Sequence, residues 1–180
     1  MDMPTPTEGD EAYFDALGKG RSKSLDNRTF KLPIKSIGLR SCAVLGEETT
    51  VAAAITAMRA AKIGSVLITR KGGALTGIFT ERDALNRFAL GELDPRKTPL
   101  SAVMHDNPET LTLEDEIGYA LRIMSHGGYR HVPLVDKEGR PVGVVSVRDI
   151  VDFIADHFPD DILTLPADPR SAIAKNTEGA

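Results

Sequence analysis

The chain of 180 residues is poor in aromatic side chains and carries no excess of positive charge. It has no tryptophan, and aromatic residues make up only 5% of it, which argues against a platform for stacking nucleic acid bases. The formal net charge of −4 at pH 7 also disfavours a polyanionic partner. We therefore expect no nucleic acid among its partners.

The chain is equally poor in cysteine and in long apolar runs. Its single cysteine, Cys42, cannot form an internal disulfide and lies in no redox or metal motif, so we expect a small core residue. No apolar run approaches the roughly 20 residues of a membrane-spanning helix. The acidic N-terminal residues lack the apolar stretch of a signal peptide. Together these absences predict a protein of the reducing cytoplasm with no membrane partner.

Catalytic motifs are missing too. The sequence contains no nucleophile elbow, Walker loop, dinucleotide fingerprint or zinc-protease motif. Its histidines have no His or Cys partner at metal-ligand spacing. No two acids are spaced so that acid and base roles can be assigned. We predict that the chain is not an enzyme and holds no metal or resident cofactor.

What the sequence does contain is an internal repeat. The heptapeptide GIFTERD at 77–83 returns at 143–149 as GVVSVRD. The offset is 66 positions, 143 − 77, and sliding the chain by this offset aligns 33–88 with 99–154 without a gap. Apolar character is kept at almost every apolar position. A duplicated structural unit is therefore predicted.

Each copy has the same predicted order of elements. An extended segment, CAVL or ETLT, precedes an amphipathic helix with apolar residues at positions i, i+3, i+4 and i+7. A strand, a glycine turn (KGG or KEG), a second strand and a closing helix follow. A β-α-β-β-α unit of about 55 residues has only a thin core, so we expect the two copies to pack through their sheets.

The repeat resembles the tandem CBS domain pair, also called a Bateman module. The resemblance rests on the inter-copy segment TPLSAVMHDNPETLT, the strand GYRHVPLVD and, in both copies, a G-h-h-[ST]-x-x-D junction between strand and helix, where h is apolar. It implies an α+β fold of two β-α-β-β-α repeats with pseudo-twofold symmetry. The C-terminal segment also resembles that of stand-alone bacterial proteins of this kind. We divide the chain into a partly flexible N-terminal extension, two CBS repeats and a C-terminal tail, at 1–32, 33–92, 93–158 and 159–180.

The repeated Thr/Ser-x-x-Asp sequence has two interpretations. In the first, Thr80 and Ser146 cap the helices that follow, and Asp83 and Asp149 lie at the third helical position, close to a capping box. In the second, the helix N-terminus and the hydroxyl bind a phosphate, while the carboxylate accepts hydrogen bonds from a ribose diol. The two interpretations are compatible, because a capping residue can also contact a ligand.

The resemblance implies that this motif contacts the ribose and phosphate of adenine nucleotides, in two clefts that each take residues from both copies. Cleft 1 is expected to contain Thr80, Arg82, Asp83, Thr110, Tyr129, Arg130 and His131. Cleft 2 is expected to contain Val44, Ile63, Gly64, Ser65, Ser146, Arg148 and Asp149. Because Arg130 and His131 are predicted only in cleft 1, we expect AMP, ADP or ATP there. Cleft 2 is then empty or takes a less charged adenosyl compound such as S-adenosylmethionine.

The resulting prediction is a regulatory module that senses an adenosine nucleotide and signals to a protein target through a shift between its copies. The resemblance also implies a homodimer packed through helices. The alternative is a scaffold that binds no nucleotide, in which the caps are only caps. A small enzyme acting on nucleotides is a third hypothesis, with no motif in its favour.

Overall fold

The structure is a computed structural model, and it describes residues 28–39, 42–88 and 93–157. By its internal contacts the chain divides into one unit of Arg28–Phe153 and another of Met1–Asn27 with Ile154–Ala180. In the second unit only residues 154–157, the end of a helix, are described. The predictions for the N-terminal extension before residue 28 and for the C-terminal tail lie outside the described residues.

The described elements follow the predicted order in both copies. The strands are β1 (Ala43–Gly46), β2 (Ser65–Thr69), β3 (Leu75–Thr80), β4 (His105–Asp106), β5 (His131–Val135) and β6 (Pro141–Ser146). The helices are α1 (Val51–Ala61), α2 (Glu81–Phe88), α3 (Ile117–Gly127) and α4 (Val147–His157). The α+β class with two repeats is thereby confirmed. None of the described helices has the length and apolar character needed to cross a bilayer.

Each copy is built around an antiparallel hairpin. β2 pairs with β3 in the first copy, and β5 pairs with β6 in the second. The hairpin turns contain Gly73 and Gly139, whose φ angles of 84° and 76° favour glycine. β1 runs parallel to β2, which gives the first sheet the order β1-β2-β3-β4. The doubled hairpin places both Thr/Ser-x-x-Asp junctions at equivalent strand ends.

The second copy departs from the predicted pattern at ETLT, residues 109–112. These residues form no strand, and Leu111 makes only an isolated parallel bridge with Leu134. The Thr112 N–H donates to the Asp115 carboxylate at 2.6 Å, in a turn before α3. The predicted extended segment is present, since the Leu111 N–H and carbonyl both bond to β5, but the pairing does not continue beyond this bridge into a strand.

The short strand β4 was not predicted. It pairs with β3 and extends the first sheet. Gly77 on β3 permits the approach, since a Cβ at this position would overlap the Met104 sulfur. Gly77 of the repeated motif therefore also makes room for the chain between the copies.

The two sheets share apolar packing. Leu67 on β2, Ile78 on β3 and Val144 on β6 form one buried cluster. A hydrogen bond of 3.0 Å from the Leu75 N–H to the Gly139 carbonyl also joins the hairpins. This packing supplies the shared core that a repeat of this size needs.

The segment that opens the second copy packs into the core of the first. Leu100 and Val103 are 0% and 2% exposed. The first-copy residues buried in the same cluster are Val51, Ala54, Met58, Val66, Ile68 and Phe79. The cluster therefore contains residues from both sides of the boundary predicted near residue 92. The boundary itself stays a prediction.

The exchange is reciprocal. The Ile34 N–H donates to the Asp115 carbonyl at 2.8 Å, and the Ile117 N–H donates to the Leu32 carbonyl at 2.9 Å. Ile34 lies 66 positions before Leu100, 100 − 34, and is also fully buried. The opening segment of each repeat thus packs beside the first helix of the other repeat. This exchange sets how the two copies meet at the clefts.

Candidate functional site

Both Thr/Ser-x-x-Asp junctions form capping boxes. At α2, the Thr80 N–H and hydroxyl donate to Asp83 Oδ2 at 2.9 and 2.7 Å, and the Asp83 N–H donates to Thr80 Oγ1 at 3.3 Å. At α4, Ser146 and Asp149 make the same bonds at 2.8, 2.6 and 3.2 Å. The capping interpretation therefore describes the structure at both helices.

These bonds restrict what each junction can offer a ligand. A hydroxyl has one proton to donate, and at Thr80 and Ser146 it goes to the carboxylate. A phosphate oxygen accepts hydrogen bonds, so it has to find its donors elsewhere. A carboxylate has about four acceptor positions, more than the cap uses. The acids remain the candidates for the ribose diol.

Cleft 1 is small. It encloses about 170 Å³ between the start of α2 and the end of α3. Its walls are Ile78, Thr80, Arg82, Asp83, His105, Gly127, Gly128, Tyr129, Arg130 and His131. The structure thus brings together the residues predicted for this cleft except Thr110, which is exposed and does not line it. Sequence reasoning missed His105, which the short strand β4 carries.

Cleft 2 is the larger space, at about 590 Å³. Its walls are Cys42, Lys62, Ile63, Gly64, Ser65, Glu81, Arg130, His131, Val144, Ser146, Val147, Arg148, Asp149 and Val151. Of the residues predicted here, only Val44 does not line it and is 44% exposed. Cys42, expected in the core, is half-buried and lies on the cleft wall. Burial raises the pKa of its thiol.

The positive charges are not distributed as the sequence predicts. Arg130 and His131 line both clefts, and Lys62 and Arg148 also line cleft 2. The expectation that Arg130 serves only cleft 1 is wrong. Its carbonyl accepts a hydrogen bond of 3.1 Å from the Val147 N–H, which fixes its backbone beside the start of α4. The first copy has the equivalent bond, from the Glu81 N–H to the Gly64 carbonyl at 3.1 Å, so the placement belongs to the fold of each copy.

The volumes reverse the expected ranking of the clefts. Small-molecule pockets commonly enclose about 300–1,000 Å³. Cleft 2, at about 590 Å³, falls inside this range, and cleft 1, at about 170 Å³, falls below it. Asp149 lies deep in the wall of cleft 2, with 5% of its surface exposed. Cleft 2 therefore has the room for a nucleoside phosphate.

His131 lies between the clefts, close to the backbone of the first copy. A Cβ added to Gly64 would lie 3.1 Å from its Nε2 atom. Burial, and after it the charge of Arg130, lower the pKa of His131 from its usual 6.5, while Asp149 and Glu81 act in the opposite direction. This shift favours the neutral imidazole at pH 7.

This pKa shift predicts that wild-type stability falls more steeply than that of His131→Gln between about pH 7.5 and about pH 5.5. In the unfolded chain the histidine takes up a proton near 6.5, whereas in the folded chain it does so only at lower pH. In this window the unfolded state binds more protons, so acid favours it. Urea unfolding of both proteins at the two pH values measures the effect. Equal losses in both proteins would contradict the assignment.

The CBS domain profile matches residues 34–90 and again 100–156, two intervals separated by the same offset of 66. The chain belongs to the CBS domain family. A CBS domain-containing protein of Arabidopsis thaliana is 33% identical to it over 130 residues, 71% of this chain but 23% of the plant protein. An uncharacterized 17.7 kDa protein of Acidianus ambivalens is 28% identical over 123 residues, 68% of this chain and 73% of that protein.

Solved structures of CBS proteins have the same fold. A CBS-domain protein of Agrobacterium tumefaciens is 28% identical, with a TM-score of 0.60 over 67% of this chain and 97% of that one. A CBS domain protein of Pyrobaculum aerophilum, solved in complex with AMP, is 27% identical, with a TM-score of 0.61 over 66% and 89%. The chain is a CBS-domain regulatory module. Its stand-alone bacterial origin stays a prediction, since the relatives include plant and archaeal proteins.

Proposed function

We propose that this CBS module is a regulatory sensor that binds AMP, or a closely related adenosine nucleotide, in cleft 2. The observation that carries the proposal is the meeting of a Ser-x-x-Asp junction with several cations in one space of about 590 Å³. The AMP complex of the Pyrobaculum aerophilum relative supports an adenosine nucleotide as the ligand class. Cleft 2 replaces cleft 1 as the nucleotide site because cleft 1 encloses only about 170 Å³.

The charges around cleft 2 favour a monophosphate. The cations on its wall are Lys62, Arg130 and Arg148. The same wall carries two acids, Glu81 and Asp149. With His131 neutral, the formal charge of the wall is 3 − 2 = +1. A phosphate monoester carries roughly −1.5 to −2 at pH 7, close to what this wall can balance. A triphosphate brings more negative charge, and the sulfonium of S-adenosylmethionine brings charge of the wrong sign.

Different side chains on the wall of cleft 2 contact different parts of the ligand. Asp149 accepts hydrogen bonds from the ribose hydroxyls at acceptor positions beyond the two that its bonds from Ser146 occupy. Arg130 holds the phosphate, for which a guanidinium is well shaped. Since Ile63 and Gly64 belong to the first copy and Asp149 to the second, a ligand in cleft 2 contacts both copies. Binding thereby shifts one copy against the other.

The same proposal includes a homodimer in the cytoplasm and a protein target that reads this shift. Leu85 on α2 and Val151 on α4 are 68% and 55% exposed. Apolar side chains on exposed helix faces are what a twofold, helix-mediated contact between chains would bury.

Cys42 gives a direct test of where the nucleotide binds. It is the only cysteine of the chain and it lines cleft 2, so a nucleotide in that cleft should slow its alkylation by a maleimide. The reaction is best followed at about pH 8.5, because the raised thiol pKa slows it near neutrality. We expect protection by AMP, together with a stabilisation of about 2.7 kcal/mol at 100 times Kd.

Other adenosyl compounds complete this experiment. The same two measurements are made with ADP, ATP, NAD and S-adenosylmethionine at equal concentration. They show how binding depends on the charge of the ligand. A shift in melting temperature without protection of Cys42 would show that the nucleotide binds outside cleft 2. The absence of both effects with every compound would contradict nucleotide sensing.

A non-binding scaffold is the second candidate, and the completed capping boxes favour it. The hydrogen bonds of Thr80 with Asp83, and of Ser146 with Asp149, are explained by helix capping without any ligand. Under this alternative, Asp83→Ala and Asp149→Ala each lower the stability by a modest capping energy, and neither variant changes the response of the protein to a nucleotide. The alkylation rate of Cys42 is then independent of added AMP.

A further inference from the structure

The mouths of the two clefts differ although the copies are related by a fixed offset. The Arg82 Nη1 donates to the Gly128 carbonyl at 3.0 Å. Arg82 lies on α2 of the first copy and Gly128 follows α3 of the second, so this bond spans cleft 1. Offset by 66, the same positions at cleft 2 are Arg148 and Lys62, from 148 − 82 and 128 − 62.

Arg148 has a partner on its own helix. Its Nε lies 3.8 Å from Asp152 Oδ2, one helical turn further along α4. The position equivalent to Asp152 in the first copy is Asn86, from 152 − 66, which carries no charge. Arg82 therefore has no acid at this spacing to compete with the carbonyl across cleft 1.

A second contact fills cleft 1. The Tyr129 ring lies so close over Gly127 that a Cβ there would overlap it. The same ring lies 5.6 Å from the His105 ring, centroid to centroid, at an interplanar angle of 49°. The residue equivalent to Tyr129 at cleft 2 is Ile63, from 129 − 66, which has no ring to place across the opening.

We propose that Arg82 and Tyr129 hold cleft 1 closed to nucleotides, so that each chain binds one nucleotide although its sequence carries two Thr/Ser-x-x-Asp junctions. The inference rests on the proposed function, since it takes cleft 2 as the open site. Thr80 and Asp83 keep the geometry of Ser146 and Asp149, so closure of the mouth, and not loss of the motif, separates the clefts.

The test is the number of AMP molecules bound per chain, measured by calorimetry on the full chain. Wild type should bind one. The variant Arg82→Ala with Tyr129→Ile removes both closing contacts without touching the walls of cleft 2 and should bind two. Asn86→Ala is the matched control on α2: it adds no acid beside Arg82, so this variant should still bind one.

The outcomes separate this inference from the proposed function. Two molecules bound to wild type, or one bound to a double variant that melts as wild type does, would overturn the closure. Binding by the double variant alone would remove cleft 2 as the site and keep the closure. No binding by either would remove both. Adding Asp83→Ala to the double variant should abolish the second event, which assigns it to cleft 1.

Discussion

Replacing Asp149 with alanine should weaken AMP binding about 100-fold, which corresponds to about 2.7 kcal/mol. Hydrogen bonds to a charged group contribute roughly 1.5–3 kcal/mol each, and a ribose diol offers two donors to this carboxylate. The same change removes the bonds that Asp149 accepts from the Ser146 N–H and hydroxyl. The loss of this cap costs about 1 kcal/mol of stability. Calorimetry gives the first effect and thermal unfolding gives the second.

The chain supplies its own control for the loss of these two bonds. In a turn that precedes α3 without capping it, the Thr112 N–H and hydroxyl donate to Asp115 Oδ2 at 2.6 and 2.9 Å. Asp115 lines neither cleft. The Asp115→Ala variant should therefore lose a similar amount of stability and bind AMP as wild type does. If Asp149→Ala behaves like Asp115→Ala in both measurements, the scaffold alternative is correct.

These capping groups are also the part of the site that the sequence could predict. A capping box joins residues three positions apart, so Thr80 with Asp83 and Ser146 with Asp149 are visible as local patterns. The gap-free offset then placed both boxes at equivalent strand ends. The hairpins followed for the same reason, since each one forms between neighbouring parts of the chain.

The sizes of the clefts could not be predicted in this way. In the structure Arg82 donates across cleft 1 to Gly128, whereas Arg148 lies near Asp152 on its own helix. The repeat shows that Asn86 replaces Asp152 in the first copy, but this difference alone does not tell which carbonyl Arg82 reaches. Arg130 lies beside cleft 2 through the bond of its carbonyl to the Val147 N–H in its own copy, and the packing of the two copies also places it at cleft 1.

Some features of the fold were also not predicted, because they involve very short segments or contacts between the copies. At ETLT the repeat predicted an extended segment, and its pairing with β5 is limited to the bridge between Leu111 and Leu134. β4 was missed because two residues carry no periodicity. The exchange of opening segments is not visible in the repeat, because the offset aligns the copies without showing that Leu100 belongs to the core of the first copy.

Leu100→Ala should accordingly destabilise the first copy, although Leu100 precedes the helices and hairpin of the second. Leu100 is 0% exposed and packs in the cluster that contains Val51 and Phe79. Leu→Ala changes in such positions cost about 2–5 kcal/mol, because the transfer energy is lost and a cavity remains. At about 3 kcal/mol the melting temperature falls by roughly 6–12 °C. Thermal unfolding measures this fall.

Hydrogen exchange shows which elements are destabilised, and Val44→Ala is the matched control. Val44 lies on β1 of the first copy, lines neither cleft and is 44% exposed, so its truncation should change stability by only about 0.5 kcal/mol. In Leu100→Ala, amide protection should fall first in α1, β2 and β3, since local opening follows the packing and not the order of the chain. Loss confined to α3 and β5 would show instead that each repeat keeps its opening segment to itself. In that case the clefts would be formed by two independent units, and a ligand bound between them would have no shared core through which to move one copy against the other.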